Sequence, residues 1–252
     1  MTALGDKTRS RPYTVGSGQP YFKPEGEEFF YMLGNTPELG LSQDISDLKH
    51  MSTRSGQHKV DAVAILSQEL SGSFSLDEFV ADNLRFFFMG SETVTDIQGA
   101  GTGLTTTITN ATRGSVHDLG YRNIAVTSVV AVGGSPTYTN EVDYEWFSAG
   151  QIYICPNSSI NGENIVVTFN VTATSLKKIH AASSTSIKGH FLFVGDPLKG
   201  KKMIVQGYGT LKPSGDLGMI TDDWMGMPFG IEFEENAAYT GVIDVTLFGT
   251  VT

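Results

Sequence analysis

Short runs of strand-forming residues, each closed by a glycine-bearing turn, recur along most of this chain and leave little room for long helices. The runs include Ile124–Val132, Thr137–Phe147, Gln151–Cys155 and Asn164–Thr174, with turns at Gly133-Gly134, Ala149-Gly150 and Asn161-Gly162. Asn-Gly is a strong hairpin signal, because both residues tolerate the positive φ that a tight turn demands. Turns spaced roughly 8–12 residues apart suit a small β-sandwich. The 29 glycines among 252 residues fit so many turns, being well above the roughly 7% of an average protein.

These cues divide the chain. Residues 104–175 read as a compact β-rich insertion. Residues 28–103 and 176–252 read as the core domain that carries it. Residues 1–27 read as a flexible arm with Lys7, Arg9 and Arg11, polar enough to order only on assembly. Long β runs return at Ser186–Val194, Met203–Lys212, Leu217–Ile220, Gly226–Glu234 and Thr240–Val251. Trp224, between two of these runs, is expected to cap the end of a core.

The stretch from Leu33 to Gly90 is the most distinctive. A short buried strand is expected at residues 28–33. Ser42–Gln57 reads as a long polar loop, and connections of that length are usually functional or disordered. His58–Phe74 reads as one strand, bent where the apolar parity switches at Ile65-Leu66. A helix is predicted from Ser75, with Ser75 and Glu78 at capping-box spacing and Gly90 as its stop. Its apolar stripe nominates Phe79, Leu84, Phe87 and Phe88 as anchors on a sheet. Ser91–Gly103 reads as a hinge, since it lacks the lysine and the helix that a phosphate loop needs.

The formal charge is -10 and the pI about 4.9. That argues against a surface that grips nucleic-acid phosphates, which takes clustered Lys and Arg. It permits a surface that nucleic acid slides past. Cys155 is the single cysteine, so no intramolecular disulfide and no multi-thiolate zinc site can form. It reads as a half-buried thiol at a strand end, in a reducing compartment. The five histidines show no metal-ligand spacing. Glu232 and Glu234 share a strand face, and such a row of like charges reads as facing water. No hydrolase, zinc-protease or calcium-loop motif is present, so neither an enzyme nor a cofactor is expected. No apolar run approaches the roughly 18 residues of a membrane span. Tyr138, Tyr144 and Trp146, if exposed, would suit a carbohydrate-binding, adhesin-like module; strand alternation favours core positions for them.

Three stretches carry a resemblance: GNTPELGLSQDISDLKHMSTRSGQHK, SGSFSLDEFVADNLRFFFMG and LKPSGDLGMITDDWMGMPFGIEFEEN. Together they resemble the tail tube proteins of long-tailed bacteriophages, some of which carry a β insertion like residues 104–175. The resemblance implies a two-sheet β-sandwich or barrel with one flanking helix. It implies stacked, hexameric rings forming a hollow tube in the virion, assembled in the bacterial host cytoplasm, through which the genome is delivered. The partners implied are further copies of the chain, a tape measure protein and tail-tip or terminator proteins, with DNA in transit and not specifically bound. On this pattern the Ser42–Gln57 loop is expected to stack rings through Asp44, Ile45, Leu48, His50, Met51 and Arg54. Asp61 and Glu69 are the candidates to face the lumen. Another tail, neck or decoration protein is the alternative within the same class.

Overall fold

The computed structural model describes residues 14–54, 56, 58–90 and 93–248. Within them the chain is mainly β, with seventeen strands, one helix and several antiparallel sheets in a sandwich-like arrangement. It opens with β1 (Gly18–Pro24), β2 (Tyr31–Met32), β3 (Glu38–Ser52), β4 (Lys59–Leu76) and α1 (Ala81–Phe87). There follow β5 (Thr93–Gln98), β6 (Gly101–Ala111), β7 (Val116–Asp118), β8 (Ile124–Ala131) and β9 (Thr137–Tyr138). Next come β10 (Tyr144–Phe147), β11 (Gln151–Ile154), β12 (Glu163–Val171) and β13 (Thr174–Ile179). The chain ends with β14 (Ile187–Gly195), β15 (Met203–Pro213), β16 (Met227–Glu234) and β17 (Ile243–Leu247).

Two compact units form. One joins residues up to Thr93 with those from Ile179 onward; the other is Val94–Lys178. The second is wider than residues 104–175, because β5 and β13 pair as a two-stranded ribbon, making Ser91–Gly103 largely strand and not hinge. Its sheets, β6-β12-β8-β9 and β10-β11-β7, close on one core that includes Ile152, Ile165, Val167 and Phe169. Tyr138 and Tyr144 lie in that core and Trp146 packs partly buried against it, so the aromatics are spent on packing. Cys155 is buried just past β11, and burial pushes its thiol pKa up.

In the first unit the order is β2-β1-β14-β15-β16-β4-β3. On the edge away from β14, β15 serves two partners, β17 along Met203–Gly207 and β16 along Tyr208–Pro213. Alternation decides the faces. In β16, Met227, Phe229, Ile231 and Phe233 point inward, while Glu232 and Glu234 point outward. Phe74 stacks on Phe229 at 5.5 Å, Phe87 meets Phe229 edge-on at 5.7 Å, and Phe22 meets Phe86 edge-on at 5.7 Å. Each such ring contributes about 1.5–3 kcal/mol by burial.

The helix starts later than its sequence pattern predicts. β4 continues through Leu76, and the next two carboxylates turn to Asn35: its Nδ2 donates to Asp77 Oδ2 at 2.5 Å and its N–H to Glu78 Oε1 at 2.8 Å. Glu78 is therefore not available to a capping box, and Val80 takes the N-cap position without a side-chain cap. This shift changes the anchors. Phe87 is buried and Leu84 packs half-buried against the core, but Phe79 precedes the helix at 38% exposure and Phe88 ends it at 40%. Phe86 and Asn83 do the anchoring in their place. Phe86 is 1% exposed, and Asn83 Nδ2 donates to Leu33 O at 2.9 Å and Glu78 O at 3.0 Å.

Three further expectations change. Of the 1–27 arm, residues 1–13 lie outside the described residues, while Gly18–Pro24 is a full sheet strand between β14 and β2. The strand expected at residues 28–33 shrinks to β2. Leu217–Ile220 forms no strand and, among the described residues, Trp224 caps no core: it is 92% exposed in the β15–β16 connection.

Candidate functional site

The polar loop expected at Ser42–Gln57 is mostly strand. β3 runs to Ser52 and pairs with β4 almost throughout, so the two make one long hairpin (Ser55 and Gln57, at its turn, lie outside the described residues). The hydrophilic sequence misled because this strand has no core beside it, and so carries none of the buried alternation that marks a strand. β16 pairs with β4 only from Leu76 to Ser71. From Leu70 outward β4 has β3 as its one sheet neighbour, and the ribbon has two open edges. Every described residue in 41–51 and 58–69 is exposed.

The register gives this ribbon two unlike faces, because directly opposed residues share a face. One face continues from the core pair Leu39 and Phe74 through Leu41, Ile45, Ile65, Val63, Met51 and Val60, with Gln43, Gln68, Asp47 and Lys49 between them. The other carries Ser42 opposite Ser71, Asp44 opposite Glu69, Ser46 opposite Ser67, His50 opposite Ala62 and Ser52 opposite Lys59. Leu48, opposite Ala64, is the apolar exception there. Two register shifts keep Val60, Val63 and Ile65 on the first face. The partner of Ser46 is Ser67 and that of Asp47 is Ile65, so Leu66 is an extra residue. Likewise His50 pairs with Ala62 and Met51 with Val60, leaving Asp61 extra. Without these bulges the apolar residues of β4 would alternate out of phase. The first bulge falls at the parity switch visible in the sequence.

The candidate residues thus separate. Ile45 and Met51 lie on the apolar face, at 48% and 49% exposure. Asp44, Leu48, His50 and Glu69 lie on the polar face. Asp61 joins them through a 2.5 Å hydrogen bond to His50 Nδ1. Arg54 sits at the turn, its N–H reaching Ser52 Oγ at 3.5 Å. Asp44 and Glu69 oppose each other directly, a like-charge pairing that weakens an isolated ribbon.

A two-stranded hairpin is at best marginally stable in water by itself. This one also exposes Leu41, Ile45, Ile65, Val63, Met51 and Val60 on one face, the kind of apolar surface that marks an interaction site. Long open edges add a second invitation to pairing. The arrangement is suited to burial against another chain.

The polar face extends across the body. Ser42, Ser71, Glu232, Thr210 and Lys188 form one cross-strand row. Glu232 and Glu234 do not simply face water: Lys212 donates to Glu232, and Lys188 to Glu234 at 2.7 Å. The Lys188 and Thr210 hydrogen bonds hold Glu234 below the usual carboxylate pKa. His190 Nδ1 lies 2.8 Å from Tyr239 Oη, and burial lowers its pKa. Among the described residues no group of His, Cys, Asp and Glu is placed to hold a metal ion, and no helix is long and apolar enough to cross a membrane.

Residues 13–250 match the family described as protein of unknown function UCP028589, and the chain belongs to that family. No curated protein matches it.

Proposed function

We propose that this protein is a structural subunit of a bacteriophage tail tube, building stacked rings around a channel for the genome, and not an enzyme. The observation that carries the reading is the amphipathic ribbon, which leaves the core and exposes apolar side chains that nothing among the described residues covers. The three stretches that resemble tail tube proteins include this ribbon and the helix after it. In the assembled tube the apolar stripe packs on neighbouring copies, placing the stacking contacts at Ile45 and Met51. The polar face, with Asp61 and Glu69, lines the lumen, and an acidic chain of net charge -10 repels the phosphate backbone in transit. The further partners of this reading are a tape measure protein inside the tube and terminator or tip proteins at its ends. Its setting is the virion tail, after assembly in the host cytoplasm.

Removing the ribbon tests the reading. Because it has two strands, the deletion spans residues 44–69, with a two-residue Asn-Gly turn in their place. Negative-stain microscopy of the concentrated wild-type chain is expected to show tubes, and the deletion variant to stay folded and monomeric. Single rings or monomers from the wild type would instead favour a neck, terminator or decoration protein. Tubes from the deletion variant would remove the ribbon from the assembly.

A further inference from the structure

The β15–β16 connection, Ser214–Gly226, is an unusual exposed loop. Ile220 is 99% exposed, Trp224 92% and Met219 72%. The loop's shape is held locally: Asp223 N–H donates to Thr221 Oγ1 at 3.1 Å, and Trp224 N–H to Asp223 Oδ1 at 2.8 Å. With Phe79 and Asp77 it walls an open concavity of about 660 Å³. Asp216, Asp222 and Asp223 give the loop a negative charge, and it contains no Lys or Arg. A large exposed aromatic beside aliphatic residues in a concave setting is the composition of an interface hot spot.

The tip of the β3–β4 ribbon is its complement. From Leu48 to Val60 the chain has Lys49, Arg54 and Lys59, with His50 and His58, and no Asp or Glu. Lys49 lies 3.4 Å from Asp47, but both are exposed, and such pairs hold little energy. Met51 and Val60 share a face with Lys49, Arg54 sits at the turn beyond them, and Lys59, opposite Ser52, lies on the other face.

Position decides who can meet whom. Leu76, the last residue of β4, pairs with Met227, the residue after the loop. The acidic Trp224 loop therefore lies at one end of β4 and the basic tip at the other. Eighteen residues of strand place them about 55 Å apart. No chain can bring its own tip to its own loop. A donor at one end and a receptor at the other make a head-to-tail contact, which repeats from copy to copy.

We propose that the Trp224 loop is the receptor for the ribbon tip of a second copy of this chain, with Trp224 and Ile220 covered by Met51 and Val60, and Asp222 and Asp223 facing Lys49 and the turn residue Arg54. The proposal deepens the assembly reading above and rests on it for the polymer built, but the contact itself is a property of two chains. Two full-length variants, Met51→Cys and Ile220→Cys, test it with a short bismaleimide; buried Cys155 serves as the internal control in the wild type. The expected result is a cross-linked dimer in the mixture and none from either variant alone. A dimer from Met51→Cys alone would mean that tips meet tips, and would overturn the proposal. No cross-link in the mixture, with wild-type tubes present, would overturn this contact and leave the tube reading standing. A cross-link without tubes would do the reverse, and neither would sink both. Charge reversal supplies an independent arm. Asp222→Lys with Asp223→Lys is expected to raise the concentration needed for association by about tenfold, because complementary charges set docking. Adding Lys49→Glu and Arg54→Glu is expected to restore it, and failure to restore it would count against the pairing.

Discussion

Asp143 shows how one side chain can organise a loop region that sequence patterns do not mark. Its carboxylate accepts from the Thr139 N–H at 2.9 Å, the Ser159 N–H at 2.8 Å, the Ser159 hydroxyl at 2.7 Å and the Ser158 hydroxyl at 3.2 Å. The Thr139 backbone bond first, and then those from Ser159 and Ser158, lower its pKa to about 2. A carboxylate whose folded pKa lies below its unfolded value stabilises the fold above the unfolded value, near 4, and the effect fades as pH falls through the folded one. The unit formed by Val94–Lys178 is therefore expected to lose stability between about pH 4 and pH 2. Asp143→Asn is expected to lower the melting temperature at pH 7 and to flatten that acid limb. Melting curves from pH 2 to pH 7 check this; an unchanged limb in the variant would assign the acid sensitivity elsewhere. Nothing in the sequence singles out Asp143, since its partners come from residues up to 16 positions away.

At the scale of elements, the ribbon rests on two single-residue bulges. The switch at Ile65-Leu66 is legible in the sequence because the apolar parity changes there. The Asp61 bulge is not, because it lies where the apolar pattern is interrupted by charge. Deleting Leu66 is expected to close the first bulge and leave Val60, Val63 and Ile65 on the face they occupy now, since it removes the extra residue and keeps Ser46 opposite Ser67 and Asp47 opposite Ile65. Sedimentation velocity is expected to show association retained, with circular dichroism unchanged. Lost association would mean that the bulge itself, and not the apolar residues, forms the contact. The helix teaches the opposite lesson. Its three-to-four spacing is real, but Asp77 and Glu78 are claimed by Asn35, more than 40 residues earlier, and the start moves past Phe79. Phe86 then takes the place given to Phe88.

For the whole molecule, the consequence of two units is two separate cores. The first, built around Phe22, Phe74, Phe86 and Phe229, shares no residue with the second, built around Ile152, Ile165 and Phe169. Phe86→Ala is expected to cost about 3–5 kcal/mol, the usual range for emptying a buried aromatic site. Phe79→Ala is expected to cost under about 1 kcal/mol, as surface changes do. Hydrogen exchange locates the loss: amides of β14, β15 and β16 are expected to exchange faster in Phe86→Ala, while those of β11 and β12 keep their protection. Equal loss in both units would mean that they unfold as one.

The β class, many of the turns and the existence of one helix were legible from local sequence, because each rests on neighbours within a few residues: alternation, glycine at positive φ, helical spacing. Gly133, Gly134, Gly150 and Gly162 all hold the positive φ that their turns require. Only the tertiary structure decided that a polar stretch read as a loop is half of a projecting ribbon, and that Trp224 is displayed instead of buried. Both follow from what lies beside a segment and not within it. β3 is a strand because β4 pairs with it, and Trp224 lies in a connection outside the core that Phe86, Phe87 and the sheet residues form. The most distinctive segment of the chain is thus the one whose role depends on surfaces brought together from opposite ends of a strand.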